Sequence, residues 1–491
     1  MTSVAQRLRQ KLLDLAIHGK LVSQNPKDEP AAELLARIRK ARSAVGGRAR
    51  TSAVPHSIPE DEIPFDLPRG WVWCRLGEIG IWGAGATPSR KNPKYYEGGK
   101  IPWLKTGDLN DGLVMHIPEC ITQDALAETS VRLNPIGSVL IAMYGATIGK
   151  VGILGVEATT NQACCVCQPE GAVDNQFLFY YLMSQREQFK RLGGGGAQPN
   201  ISKELIVSYP IPLPPLAEQK RIVENLNEML KEATRVAEGM ERLAQLRKKA
   251  RAKILDLAIR GKLVKQEKSD EPASELLKRI AAEKAKLVAE KKIRKEKLLP
   301  PIADDDRPFE LPSGWSWCRL RDVVSEGPRN GYSPAPVDYD TGVRKLILSA
   351  TTRGVFDGSA YKFIDAKIPS DSYLWLRKGD LLIQRSNSLE YLGMSCIYDG
   401  SDRAFVYPDL MMKVRANDAV LLEYLDFALK SATTHKYYVD HATGTAGNMP
   451  KINGEVVSMT PIPLPPLAEQ RRIVAKVKEM LAACDALGGE G

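Results

Sequence analysis

Pro210-Ile-Pro-Leu-Pro-Pro-Leu-Ala-Glu-Gln-Lys-Arg-Ile-Val223 returns at Pro461–Val474 with a single change, Lys220 against Arg471. Four prolines in six residues exclude a helix interior and a central strand, because proline has no amide hydrogen to donate and its ring fixes the backbone. Each copy therefore opens as a stiff, extended arm. Beyond it, Leu216, Ile222, Val223, Leu226, Met229, Leu230, Ala233, Val236, Ala237 and Met240 recur at helical spacing, as do Leu467, Ile473, Val474, Val477, Met480 and Leu481. The chain is built twice around an arm that leads into a long amphipathic helix.

Other segments repeat around this pair. Leu13-Asp-Leu-Ala-Ile-His-Gly-Lys-Leu-Val22 returns from Leu255 with Arg260 in place of His18, and Asp28-Glu-Pro30 returns from Asp270, both 242 positions on. Leu67-Pro-Arg-Gly-Trp-Val-Trp-Cys-Arg-Leu76 returns from Leu311 at offset 244, and the arm at offset 251. A period this long marks a duplicated domain pair, not a solenoid.

The organisation expected is a helical region at 1–45, a linker at 46–64, a globular module at 65–207 and a central helical region with its arm at 208–300. A linker at 301–309, a second module at 310–458 and a terminal arm and helix at 459–491 follow. In the first region Leu8, Leu12, Leu15 and Ala16 form a stripe that stops at Gly19, and Pro30 opens a second helix. Val139–Ala142 and Ala163–Cys167 read as strands, and 177–192 as helix. The C-terminus stops near the repeat position at which the N-terminus begins, so 459–491 and 1–45 are the front and back of a split twin of the central block. The expected fold is α+β: two related globular modules joined by two long antiparallel helical, coiled-coil regions, pseudo-twofold and circularly closed. Termini that lie close together would tolerate circular permutation. A helix over 216–260 would span about 65 Å and hold the modules at a set spacing.

A chain of 491 residues exceeds a single core, and 43% hydrophobic with 26% charged residues suits a folded, soluble protein. No run has the length of a membrane span and the first residues lack a signal-peptide core, which points to the cytoplasm and no membrane partner. The eight cysteines include no Cys-x-x-Cys pair, and Cys164, Cys165 and Cys167 suit a buried strand better than a zinc site. The net charge is +10, and residues 242–297 alone hold 19 Lys and Arg against 8 Asp and Glu. That surplus is compatible with a polyanionic partner and equally with a solvated helical face.

The two modules share a frame but not their loops. Ile136-Gly-Ser-Val-Leu-Ile-Ala-Met-Tyr-Gly-Ala-Thr-Ile-Gly-Lys-Val-Gly152 lies over Lys378-Gly-Asp-Leu-Leu-Ile-Gln-Arg-Ser-Asn-Ser-Leu-Glu-Tyr-Leu-Gly393, where the strand matches and the loop after it does not. Related frames with unlike polar loops suggest modules that read different things. Candidates for contacts with base edges or phosphates are Ser89, Arg90, Lys91, Lys105, Thr106, Tyr144, Thr147, Lys150, Asn161 and Gln162 in the first module. In the second they are Arg329, Asn330, Tyr332, Thr351, Thr352, Arg353, Gln384, Arg385, Ser386 and Asn387. Loops are polar in any case, so only the set carries weight.

No catalytic or metal motif stands out. Asn92-Pro-Lys-Tyr-Tyr96 has Lys94 where an amino-methyltransferase motif has proline, and no Gly-rich cofactor turn accompanies it. Gly145–Val151 is one residue short of a phosphate loop, Gly193–Gly196 lacks strand–turn–helix context, and Pro408-Asp409 with Lys413 lacks the partner residues of a nuclease. Five scattered histidines make neither a zinc pair nor a triad. Trp71, Trp73, Trp315 and Trp317 alternate on short strands, which favours packing over base stacking.

The repeated blocks, with Tyr144-Gly-Ala-Thr-Ile-Gly-Lys-Val151, resemble over nearly the whole chain those of the specificity (S) subunits of type I restriction–modification systems. The resemblance implies that each globular module is a target recognition domain reading one half of a split, asymmetric site in double-stranded DNA. It implies that the helical regions set the unread gap and dock two methyltransferase (M) subunits. Those would bind S-adenosylmethionine and methylate adenine, with two motor-nuclease (R) subunits joining for cleavage. The S chain itself would be non-catalytic and hold no cofactor. Arg385-Ser-Asn-Ser-Leu-Glu390 departs from the Gly-Ala-Thr-Ile-Gly-Lys pattern, which suggests a different recognition-domain subtype. The alternative is a DNA-binding scaffold or regulator with no methyltransferase partner.

Overall fold

The computed structural model describes residues 3–44, 58–169, 171, 173–194, 199–291, 300, 302–303, 306–444 and 449–487. Most of the linker expected at 46–64, Gly195 and Gly196, and the basic run after Lys291 lie outside them. The chain divides into two compact units, Met1–Glu241 and Arg242–Gly491. The boundary falls inside one helix, Leu216–Ile259, which begins at the last proline of the first arm as its spacing predicts.

In the first unit, helices Ser3–Ile17 and Ala31–Ala44 bring Leu13, Ala16, Ile17, Ala31 and Leu35 into one core with Ile211, Leu213, Ile222 and Leu226 of the arm and long helix. Leu8, expected in that stripe, is exposed; the buried face runs through Leu13, Ala16 and Ile17. The stripe on the long helix is likewise buried only at Ile222, Val223, Leu226 and Ala237, while Met229, Val236 and Met240 are exposed. Each fully buried Leu or Ile contributes about 1.5–3 kcal/mol.

The arm is not free. Pro210–Leu213 pairs antiparallel with Val72–Arg75, with Trp73 opposite Pro212 and Arg75 opposite Pro210. The prolines alternate with Ile211 and Leu213, so the missing donors fall between hydrogen-bonded positions of a two-stranded sheet, where they cost no ladder bond. The second unit repeats the pairing with Ser316–Arg319 and Pro461–Leu464.

Polar residues of the repeat close the same clasp in both units. The Trp71 indole donates to the buried Glu218 carboxylate at 3.1 Å, as does the Gln24 amide at 3.2 Å. Trp315 and Gln266 do the same to Glu469 at 2.9 and 3.1 Å. Gln24 and Gln266 also cap the carbonyls of Gly19 and Gly261, both at φ +64° and each packed so that a Cβ would strike Pro68 or Pro312. Arg221 pairs with Asp28 and Arg472 with Asp270, each at 2.6 Å. Gln219 and Gln470 accept from the amides of Asp174 and Leu421, tying the arm to each module. The Ala-Glu-Gln segment recurs because its Glu and Gln each close a separate contact in each unit.

Burial raises the pKa of Glu218 and of Glu469 above the ordinary glutamate value. A carboxyl raised in the folded state binds more protons folded than unfolded, so its stabilising effect is full below the ordinary value and is lost as pH climbs through the raised one. A Glu218→Gln, Glu469→Gln double variant should therefore gain stability relative to the wild type as pH rises from about 4.5 to 7. Thermal unfolding of both proteins across that range checks this; parallel curves would sink it.

Each module holds two sheets, mixed in the first module and with antiparallel strand pairs in the second. The first has a five-stranded sheet in the order Gly80–Ala84, Cys164–Pro169, Val139–Ala142, Val151–Leu154, Leu113–Val114, and a three-stranded one in the order Cys120–Ile121, Ile101–Leu104, Thr159–Thr160. The second has a four-stranded sheet in the order Val324–Asn330, Met411–Ala416, Asp380–Gln384, Ser395–Ile397, and a three-stranded one of Pro336–Val337, Tyr361–Ile364 and Arg344–Leu346. Cys164, Cys165 and Cys167 are free and buried in one strand, and burial pushes the Cys165 thiol up to about 12. The helix expected over 177–192 is two, Asn175–Ser184 and Arg186–Leu192. Among the described residues no helix is long and apolar enough to cross a membrane, and no three His, Cys, Asp or Glu are grouped to hold a metal.

Candidate nucleic-acid interface

Pairing register gathers the candidates of the first module at one end of its sheets. Ala84 lies opposite Cys165, and Ala142 opposite Cys164, so the loops that leave Ala84 and Ala142 and the loop that enters Cys164 share an edge. Leu104 pairs with Thr160 in parallel, and Ala86 N–H donates to Thr160 O at 2.9 Å, which adds the loops after Leu104 and Thr160. Ser89, Arg90, Lys91, Lys105, Thr106, Tyr144, Thr147, Lys150, Asn161 and Gln162 all sit on these loops. Gly85 permits the closeness: a Cβ there would lie 2.2 Å from Thr160 O.

The cations at this edge are held in place. The Arg90 guanidinium lies 4.5 Å over the Tyr96 ring and 4.8 Å from that of Trp103, and pairs with Glu119. Glu119 also takes Lys105 Nζ at 2.7 Å, and the Arg90 hydrogen bond leads in holding its carboxyl below the usual range. Two cations on one carboxylate leave an excess positive charge. Ser89 and Lys91 are exposed, Tyr144 is 43% exposed, and Gln162 is exposed while accepting from Thr87 Oγ1. Thr147 Oγ1 donates to Tyr144 O, whereas Thr106 and Lys150 are half-buried at the start and end of short turns. Asn161 Oδ1 is buried without a hydrogen-bond partner. The Gly145–Lys150 loop connects antiparallel strands through a single 3-10 turn, a context unlike that of a phosphate loop.

The second module gathers its set the same way. Asn330 lies opposite Met412, Gln384 opposite Met411, and Arg385 N–H donates to Leu410 O. Arg329, Asn330 and Tyr332 are exposed, with the Arg329 guanidinium 5.2 Å over Tyr373; Arg353 is exposed as well. Three of the expected readers are instead inside: Thr351 and Gln384 are 0% exposed and Ser386 is 1%. Gln384 Nε2 donates to Thr351 Oγ1 at 2.8 Å, Thr352 Oγ1 at 3.2 Å and Leu348 O at 3.0 Å, while its Oε1 accepts from Asn387 Nδ2 at 2.6 Å. Buried amides are hydrogen-bonded in this way because an unmet group is costly there. Thr351, Gln384 and Asn387 fix the loop's shape, while the Ser386 hydroxyl is buried without a hydrogen-bond partner among the described residues; Arg385, half-buried beside the carbonyls of Ile452 and Asp409, lies nearer its surface.

Residues 68–242 match the family model for a type I restriction modification DNA specificity domain. The chain is 28% identical to the EcoEI specificity subunit and 29% identical to the EcoAI specificity subunit of type I restriction enzymes from Escherichia coli, each match covering 98% of this chain and 90% of the relative. Over nearly its whole length the chain is thus similar to type I restriction enzyme specificity subunits. A solved chain from work on complex assembly and conformational transition of the type I R-M system aligns at a TM-score of 0.52 and 20% identity, covering 87% of this chain and 93% of that one. That last likeness is one of fold, and it agrees with the α+β architecture of two globular modules and long helices.

Sequence reasoning missed a group beside this edge. Tyr373, Arg377 and Arg403 line a cleft with Arg329 and Lys413 in the second module. In the sequence Lys413 stands out only as part of a nuclease-like pattern. The signal is in the aligned strands, where Ser138 corresponds to Asp380 and Val166 to Lys413.

Proposed function

We propose that this chain is the non-catalytic DNA-specificity subunit of a type I restriction–modification complex in the cytoplasm. Its two recognition domains each read one half of a split, asymmetric duplex site, and the helical regions fix the unread gap. Two methyltransferase subunits, which bind S-adenosylmethionine and methylate adenine, dock on those regions, and motor-nuclease subunits join through the complex. Closure of the helical regions into a ring belongs to the same proposal. The observation that carries it is the pair of equivalent sheet ends with unlike polar, cation-bearing loops: Arg90, Lys105 and Tyr144 on one, Arg329, Arg353 and Arg385 on the other. Phosphate contacts from such cations set position while groups at base edges set sequence.

The test is the methylome of a host expressing the chain with its neighbouring methyltransferase, against a host lacking the chain. Methyl-adenine at one split motif, present only with the chain, is the expected result. No new methylation from a folded, partner-bound complex would leave a DNA-binding scaffold as the better account.

A further inference from the structure

The strand register allows the two recognition domains to be compared position by position. Asp380, Lys413 and Arg415 of the second stand where the first has Ser138, Val166 and Gln168. The shared frame thus forms without these charges, and their presence is particular to the second domain. Lys413 is almost wholly enclosed, its ammonium donating to Tyr373 O at 2.7 Å and lying 3.6 Å from the Asp380 carboxylate. It forms the inner wall of a cleft of about 580 Å³ whose charged lining is otherwise Arg329, Arg377, Arg403, Glu326 and Asp371. With Lys413 that makes four cations against two acids, an electrostatic bias toward an anion.

Arg403 marks the site most clearly. Its φ is +60°, a left-handed conformation that a residue with a side chain adopts at a cost and that concentrates at functional positions. Among the described residues its guanidinium has no ion-pair partner, while Arg377 is tied to Glu326 at 2.6 Å and Arg329 rests on Tyr373. The cleft is continuous with the reading edge, because Arg329 lines both and Tyr373 Oη donates to Asn330 O at 3.4 Å.

We infer that this cleft binds the phosphodiester backbone of the duplex next to the half-site read by the second domain, with Arg403 as the principal phosphate ligand and Arg377 and Lys413 setting the positive field behind it. The inference rests on the nucleic-acid function proposed above and adds a site outside the loop set. A phosphate contact of this kind contributes affinity without sequence preference.

The experiment is duplex binding by the full chain, followed by anisotropy from 50 to 200 mM salt, for wild type, Arg403→Ala and Arg403→Lys. Arg403 is exposed, so replacing its side chain leaves the core intact. The expected result for Arg403→Ala is affinity lowered about tenfold at 0.1 M salt for specific and random duplexes alike, with the slope of log K against log salt reduced by about one. Arg403→Lys should retain most of the affinity. An unchanged slope beside a wild type that binds DNA would overturn this inference and leave the specificity function standing. A wild type that binds no duplex would overturn both. A shift in preferred sequence at one half-site would make Arg403 a base reader, and stabilisation by inorganic phosphate without an effect on duplex binding would make the cleft a small-anion site; either result overturns the backbone assignment.

Discussion

Replacing Arg385 and residues 388–391 with other side chains, Gln384, Ser386 and Asn387 being retained, should change one half of the methylated motif and leave the other half untouched. The loop is held from below by Gln384, which spans from Leu348 and Thr351 to Asn387, so its outward face can vary on a fixed base. A base edge that no longer meets its bidentate partner costs about 1–3 kcal/mol of discrimination, or roughly 5- to 150-fold. Removing two such pairings would erase the old half-site from a methylome. The first domain carries its own set on separate loops, Arg90 and Lys105 anchored by Glu119. Altered bases in both halves after a change confined to 385–391 would be incompatible with two independent readers.

The largest effect on stability is expected at Asp380. Its carboxylate is 0% exposed, takes Arg415 at 2.7 Å and the Arg377 amide at 2.8 Å, and faces the buried Lys413 ammonium. Desolvation already lowers the Lys413 pKa, and Asp380 is the strongest influence opposing that shift. Asp380→Ala removes the carboxylate and strands a buried cation, a change that costs about 3–5 kcal/mol. Amide exchange should show lost protection in strands Asp380–Gln384 and Met411–Ala416, with Val139–Ala142 of the first unit unaffected. The triple change Asp380→Ser, Lys413→Val, Arg415→Gln, which installs the first domain's residues, should recover most of the loss, since well-packed neutral side chains replace a buried ion cluster at little cost. Full protection in Asp380→Ala would refute the argument.

Much of the frame was legible because it is local or repeated. Proline fixes its own backbone, so the arms were readable as extended segments, and the helix start at Leu216 followed from the last proline. Strand Val139–Ala142 announced itself as a short apolar run between turn residues. What could not be read was what depends on distant partners. That the arm pairs with the Trp-x-Trp strand follows from register between residues more than 130 positions apart. Periodicity placed Leu8 in the buried stripe because it marks a face, whereas the extent of the core decides which turns of that face are covered. In the loops, composition identified Thr351 and Gln384 as polar but could not tell an outward amide from one that holds a turn together; only the strand and helix ends they bridge do that. The Arg403 cleft escaped notice because its residues come from four separated segments, each unremarkable alone.

The clasp also sets the order in which the protein can be completed during synthesis. Gln24 closes onto Glu218 across 194 residues, and Gln266 onto Glu469 across 203. At roughly 5–20 residues per second, the ribosome takes on the order of 10–40 s to make the far partner after the near one. For that interval the first helix pair has no arm to pack against, and Leu13, Ala16 and Ile17 lack the Ile211, Ile222 and Leu226 side of their core. Each unit is therefore finished from its end backwards, sealed by the last segment to emerge, and a chain truncated before Pro210 would leave the tunnel with its opening helices uncovered.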